Sequence, residues 1–161
     1  MANLKVTLRE EKGYFSAILA DFIRQQFLTI CRSFTFETVM SSPDKIELLK
    51  AAKGTGFRTY LYYISTDDVI INKNRAANRE KLGGHSVPPD KIEPRYERSL
   101  DLLLDAIKQS DRAYLFDNSG SEHILIAEVT DGKIIELKSR QIPGWFIKAI
   151  YEKISPGNQG G

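Results

Sequence analysis

A chain of 161 residues with 42% hydrophobic and 27% charged content has the make-up of an ordinary globular domain, long enough to bury a working core. Its net charge of +2 gives no global push toward nucleic acid or an anionic membrane, so neither is an expected partner. A lone cysteine, Cys31, with two histidines, His85 and His123, excludes a disulfide framework and argues against a metal centre, pointing to a reducing cytoplasm.

In chain order, Leu4 to Leu8 alternates apolar and polar residues and predicts a short strand, with a break over Glu10 to Gly13. Those two charged residues, Glu10 and Glu11, precede any apolar run, so the start does not read as a secretory signal. From Tyr14 to Ile30, Phe15, Ile18, Leu19, Phe22, Ile23, Phe27 and Ile30 fall at helical spacing and predict a helix whose apolar face is core. Ser33 to Thr38 reads as a strand that would place Glu37 and Thr38 at its carboxyl end, where ligands collect in open α/β sheets. Pro43 to Lys53 predicts an amphipathic helix closed by Gly54-Thr55-Gly56, and Phe57 to Ser65 a strand rich in aromatic and β-branched residues. Strand, helix and strand at this spacing form a βαβ unit.

Asn72 to Leu100 carries the concentration of arginine. Arg75 and Arg79 share one helical face, Gly83-Gly84 stops that helix, and Pro88-Pro89-Asp90 opens another bearing Arg95 and Arg98. Guanidinium forks on two helices folded about a glycine pair suit phosphate oxygens, whereas solvated helix faces paired with Glu80, Asp90, Glu93, Glu97 or Asp101 would need no ligand. The second helix runs to Lys108 or Gln109, with Leu100, Leu103, Leu104 and Ile107 inward. Arg112 to Phe116 is a strand delivering Asp117-Asn118-Ser119 at its end. Glu122 to Val129 and Lys133 to Leu137 form a hairpin about Asp131-Gly132. Trp145 to Ile154 closes the fold as a helix, and 155–161 is a frayed tail. The expected organisation is one domain over 1–154.

Three ordered blocks carry a resemblance. They are Ser33 to Ser41; the lid string Arg75, Asn78-Arg79, Gly83-Gly84-His85, Val87-Pro88, Ile92, Arg95-Tyr96, Arg98-Ser99-Leu100; and Asp111 to Ser119. Together they resemble the zeta-toxin-like P-loop kinases over roughly Tyr14 to Ser119. The resemblance implies an α/β, P-loop NTPase-like fold: a mostly parallel sheet with flanking helices, followed here by a C-terminal β-hairpin. It implies ATP and Mg2+ as cofactors and a nucleotide sugar such as UDP-N-acetylglucosamine as acceptor, with an antitoxin protein as partner. Carried over residue by residue, Arg79 and Arg95 would touch phosphates as the catalytic pair. Glu37 and Thr38 would meet the acceptor, and Arg75, His85 and Arg98 would assist in binding, His85 by fixing the lid turn.

The string G-x-x-x-x-G-K-[ST], whose backbone cradles phosphates and whose Lys and Ser/Thr serve the nucleotide and magnesium, does not occur in these residues. In the family it and the first strand precede the helix near Tyr14, so the chain resembles the family without its catalytic front. The expectation is therefore an inactive phosphotransferase scaffold. The alternative is a non-catalytic anion-binding or protein-interaction module. An absent inner strand would also leave its neighbours unpaired, at about 1–3 kcal/mol per buried orphan group, and apolar faces open. That predicts marginal stability or self-association.

Overall fold

The computed structural model describes residues 2–84 and 86–155, with side chains from residue 15 onward; of the predicted tail 155–161, residues 156–161 lie outside them. The chain divides into two compact units, Met1–Glu37 and Thr38–Gly161. Among the described residues no helix is long and apolar enough to cross a membrane.

The first unit is one long helix, α1 (Ala2–Thr29), and the segment that follows it. Here two expectations are corrected. Leu4 to Leu8 is helical, and so is Glu10 to Gly13, because alternation over five residues cannot outweigh a helix that runs through both sides of it. Cys31, at φ 53°, ends the helix by turning back so that Arg32 N–H donates to the Phe27 carbonyl at 2.9 Å. Phe27, Phe34 and Phe36 then stack in series, with the Arg24 guanidinium over the Phe36 ring. The predicted apolar stripe exists but is not core. Phe15, Ile18, Leu19, Phe22 and Ile23 are all exposed, Phe15 by 67% and Phe22 by 58%. Periodicity shows that a helix has an apolar side, not that something lies on it.

The second unit is α/β, with a four-stranded mixed sheet and flanking helices. Its elements are α2 (Asp44–Gly54), β1 (Tyr60–Ser65), α3 (Val69–Lys81), α4 (Pro89–Lys108), β2 (Arg112–Asp117), β3 (Ile124–Thr130) and β4 (Ile134–Leu137). A closing helical stretch follows, α5 (Gly144–Phe146) continuing through a π-helical run Ile147–Tyr151 into α6 (Glu152–Ile154). The strand order is β1-β2-β3-β4, parallel for β1/β2 and antiparallel beyond, so the sheet is mixed rather than mostly parallel.

Ser33 to Thr38 forms no strand. It is an extended segment without a ladder partner, and six residues of strand propensity need a neighbour to become a strand. The βαβ unit is instead β1 to β2, with α3 and α4 as its crossover. The expected gap between neighbouring strands is also absent, since β1 and β2 pair directly over six residues from Tyr60↔Arg112 to Ser65↔Asp117.

The core lies on one face of the sheet. Tyr63, Ala113, Leu115, Ala127 and Val129 meet Leu100, Leu103, Ala106 and Ile107 of α4, Ile46 of α2, and Trp145, Phe146, Ala149 and Ile150 of the closing stretch. The period-two alternation of the strands sends the other side chains outward. Tyr60, Tyr62 and Ile64 of β1 are exposed there, and Tyr62 stacks on Tyr114 of β2 at 5.0 Å.

Inside the core the Tyr63 hydroxyl shares a hydrogen bond with Ser99 Oγ at 3.1 Å. Burial pushes its pKa up to about 12, only partly offset by Ser99. The folded state therefore holds this proton above pH 10, where the unfolded chain loses it. The stabilisation is complete below pH 10 and is lost as pH rises from 10 through 12, on the order of 2 kcal/mol. Burial also raises the Tyr96 hydroxyl in the same direction. Tyr63→Phe is expected to be less stable at pH 8 and to show a flatter fall between pH 9 and 11.5, measured by urea midpoints. An unchanged alkaline slope would contradict the assignment.

Candidate functional site

Parallel strands present their carboxyl ends side by side, and in open α/β folds the loops leaving those ends form the ligand crevice. Here β1 leaves as Thr66-Asp67-Asp68 and β2 as Asn118-Ser119. The two exits are tied together: Asn118 N–H donates to the Ser65 carbonyl at 2.7 Å, and Asp67 N–H to Ser119 Oγ at 2.7 Å. Asp117, buried at the end of β2, accepts from Ser119 Oγ at 2.8 Å, Ser119 N–H at 3.1 Å and Trp145 Nε1 at 2.9 Å. Asp67 is exposed, and one of its oxygens accepts the Trp145 backbone N–H at 3.0 Å. A Cβ at Gly144 would lie 3.0 Å from that same oxygen, so the glycine is what lets the closing helix start this close.

A half-open hollow of about 260 Å³ sits at these strand ends, lined by Asp67, Asp117, Ser119, Ser139, Gln141 and the apolar Ile124, Ile126, Ile142 and Pro143. That is just below the usual ligand-pocket range of roughly 300–1,000 Å³, room for a sugar-sized group rather than a whole nucleotide. Its polar lining is rich in acceptors. Carboxylate, amide and hydroxyl oxygens suit a ligand that offers hydroxyls or an amine, and a phosphate inside the hollow would face two carboxylates.

The lid begins at the rim of this hollow. Asp68 caps α3 by accepting from Ile70 N–H at 2.8 Å, and Tyr96 OH of α4 donates to the Thr66 carbonyl at 2.7 Å. Burial, with Glu97, Asp67 and Asp68 adding to it, keeps that phenol protonated as a donor. Gly83-Gly84 stops α3 as expected. Gly83 takes φ 84°, Gly84 N–H returns to the Arg79 carbonyl at 2.9 Å, and a Cβ at Gly84 would meet Arg79 Cγ at 2.6 Å.

The predicted site residues separate into groups. Arg75 reaches the hollow's rim, donating to the Gly120 carbonyl at 3.3 Å, next to Ser119. Three carboxylates of α4 are held by lysines from other elements: Glu93 by Lys73 at 2.6 Å, Glu97 by Lys148 at 2.6 Å and Asp101 by Lys153 at 3.5 Å. Arg79 and Arg95 therefore have no carboxylate partner among the described residues. Arg98 donates to the Ser41 carbonyl at 3.2 Å, which is a tie to the loop before α2. His85 lies outside the described residues. Glu37 and Thr38 are exposed and end no strand, so their expected place at a strand's carboxyl end is corrected; Thr38 Oγ1 accepts from Met40 N–H in a local turn. Glu37 belongs to the first unit and Thr38 begins the second. Asp67, Ser119 and Trp145 had no assigned role in the sequence reading, and the signal available was an acidic or hydroxyl residue just after each β1 and β2 run.

Comparison with known proteins adds one relative. No family model matches the chain, and no solved structure matches it. A stretch of 63 residues, 39% of the chain, is 38% identical to an uncharacterized protein of Haemophilus influenzae. The match spans 45% of that protein, less than half its length, and its printed name gives no activity.

The string G-x-x-x-x-G-K-[ST], which would cradle the phosphates of the ATP and hold the Mg2+ that the resemblance implies, does not occur in these residues.

Proposed function

We propose that the chain is a zeta-toxin-like, P-loop NTPase-related scaffold that binds a phosphorylated, hydroxyl-bearing small molecule of the nucleotide-sugar class without itself transferring phosphate. The observation that carries this is the division of charge on the lid: lysines neutralise Glu93, Glu97 and Asp101 of α4, and Arg79 and Arg95 have no carboxylate partner among the described residues. A solvated charged face would not need that division, whereas permanent, bidentate donors held free suit phosphate oxygens. The hollow at the β1/β2 ends supplies acceptors for sugar hydroxyls, and Arg75 stands at its rim. Phosphoryl transfer would require nucleotide-cradling residues that these 161 do not include. A cytoplasmic setting, where such ligands are made and where the exposed Cys31 stays reduced, is part of the same reading.

The test is a thermal-shift and calorimetric series with UDP-N-acetylglucosamine, UDP, pyrophosphate and unphosphorylated N-acetylglucosamine. The nucleotide sugar is expected to raise the melting temperature, as any ligand of the native state must, and the free sugar to leave it unchanged. Arg79→Ala and Arg95→Ala are each expected to weaken binding by roughly tenfold or more, the loss of a charge-assisted hydrogen bond. Both arginines are partly or fully exposed, so neither change should alter folding. Absence of any shift at millimolar ligand would end the proposal.

A further inference from the structure

The hollow at the β1 and β2 ends carries negative charge that nothing beside it offsets. Asp117 lines it at only 9% exposure and accepts from Ser119 Oγ, Ser119 N–H and Trp145 Nε1, all of them neutral donors. Asp67 accepts the Trp145 backbone N–H on one oxygen, and its other oxygen has no hydrogen-bond partner among the described residues. Neither carboxylate has a Lys, Arg or His at ion-pair distance among those residues, and Arg75 at the rim turns to the Gly120 carbonyl instead. A buried carboxylate without a counter-charge is costly, so a cation in the hollow would be stabilising.

Resting on the nucleotide-sugar reading above, we propose that the hollow takes a primary ammonium group, so that the ligand's sugar is an amino sugar with its amine free.

Hydrogen-bond capacity selects an ammonium over a hydroxyl. The hydroxyl protons lining the hollow are already used, since Ser119 Oγ donates to Asp117 at 2.8 Å and Ser139 Oγ to the Gln141 carbonyl at 2.9 Å. What remains is acceptor capacity: the free oxygen of Asp67, and the Asp117 oxygen that receives only Ser119 N–H at 3.1 Å. The Gln141 side chain can turn either its carbonyl or its amide nitrogen inward and does not decide the matter. A sugar hydroxyl brings one donor and no charge. An ammonium brings three donors, no acceptor and the missing positive charge, and its bonds to carboxylates are roughly twice as strong as neutral ones. An N-acetyl group fits less well, because it offers one N–H and sets a carbonyl oxygen beside carboxylates that can only accept.

The rest of the lining agrees with a sugar that carries the amine. Ile124, Ile126 and Pro143 give the hollow an apolar side against which the carbon face of a sugar ring can lie. The same two carboxylates repel phosphate, which leaves the phosphates of the ligand to the arginines of α3 and α4.

The experiment is calorimetry on the full chain at about pH 6, where an amino group keeps its proton, with UDP-glucosamine, UDP-glucose and UDP-N-acetylglucosamine. UDP-glucosamine is expected to bind roughly tenfold or more tightly than either of the others, and that comparison needs no variant. Asp67→Asn removes the charge but keeps the side chain's shape and an oxygen for the Trp145 N–H, and the residue is exposed, so the fold is expected to survive. The variant is expected to cost UDP-glucosamine roughly tenfold more affinity than it costs UDP-glucose. Equal affinities for the three nucleotide sugars, or an Asp67→Asn chain that keeps the full preference for the amine, would overturn the ammonium site and leave the nucleotide-sugar reading standing. Binding of none of the three would overturn both.

Discussion

Trp145→Ala is expected to lower stability by about 3–5 kcal/mol, the range for truncating a large aromatic in a packed core. Trp145 is 2% exposed, and its ring meets Tyr63 at 5.8 Å and Phe146 at 5.9 Å, so alanine leaves a cavity between the sheet and the closing helix. The indole also donates to Asp117, whose carboxylate is buried at the end of β2. Removing it adds the cost of a buried acceptor short of a donor. Trp145→Phe separates the two effects: it keeps most of the packing and drops the N–H, for about 1–3 kcal/mol. Urea midpoints measure both. An alanine variant within 1 kcal/mol of the parent would mean that the closing helix does not seal the core as described. Because the Trp145 indole N–H also holds Asp117, which lines the hollow, the alanine variant should loosen the hollow and lower affinity for the proposed nucleotide sugar as well.

Gly132→Ala is expected to cost about 3 kcal/mol, and Gly83→Ala about 1 kcal/mol. Both glycines have positive φ, 64° and 84°, so either alanine meets the left-handed penalty of roughly 1–2 kcal/mol. The difference lies in the surroundings. A Cβ at Gly132 would fall 2.7 Å from Lys108 Cα, 2.8 Å from the Lys108 carbonyl oxygen and 2.9 Å from that of Ile107. These are backbone atoms at the end of α4, which cannot step aside without moving the helix, and overpacking of this kind adds roughly 1–3 kcal/mol. Gly83 has open space around it. Equal losses for the two variants would show that the β3–β4 turn does not press on α4.

The turn at Gly132 and the lid at Gly83-Gly84 show which features are legible in a sequence. Asp131-Gly132 between alternating runs announces a hairpin because both positions need positive φ, and the structure gives 52° and 64° there. Gly83-Gly84 announces a helix stop for the same kind of local reason. The α4 stripe at Leu100, Leu103 and Ile107 announces a buried face, and each is at most 2% exposed. The α1 stripe also repeats at helical spacing, yet its side chains are exposed. The occupant of an apolar face is not encoded in its period.

The candidate site divides in the same way. That arginines cluster about a glycine pair is written in the residue order. Which of them stay free is not, since it depends on Lys73, Lys148 and Lys153 reaching acids 20, 51 and 52 residues away. The hollow at the strand ends was not foreseeable from Ser33 to Thr38, because that segment has strand-forming residues but no neighbour to pair with.

Local chemistry, then, settled α2, α3 and α4, the β3–β4 turn and the composition of the lid, because backbone preference and side-chain period act over a few residues. Strand pairing, the exposed sheet face, the Asp67–Ser119–Asp117–Trp145 network and the choice of charge partners were decided by the tertiary structure alone. Each of these is a contact between residues far apart in the chain, and a contact has no existence until the fold brings its two sides together.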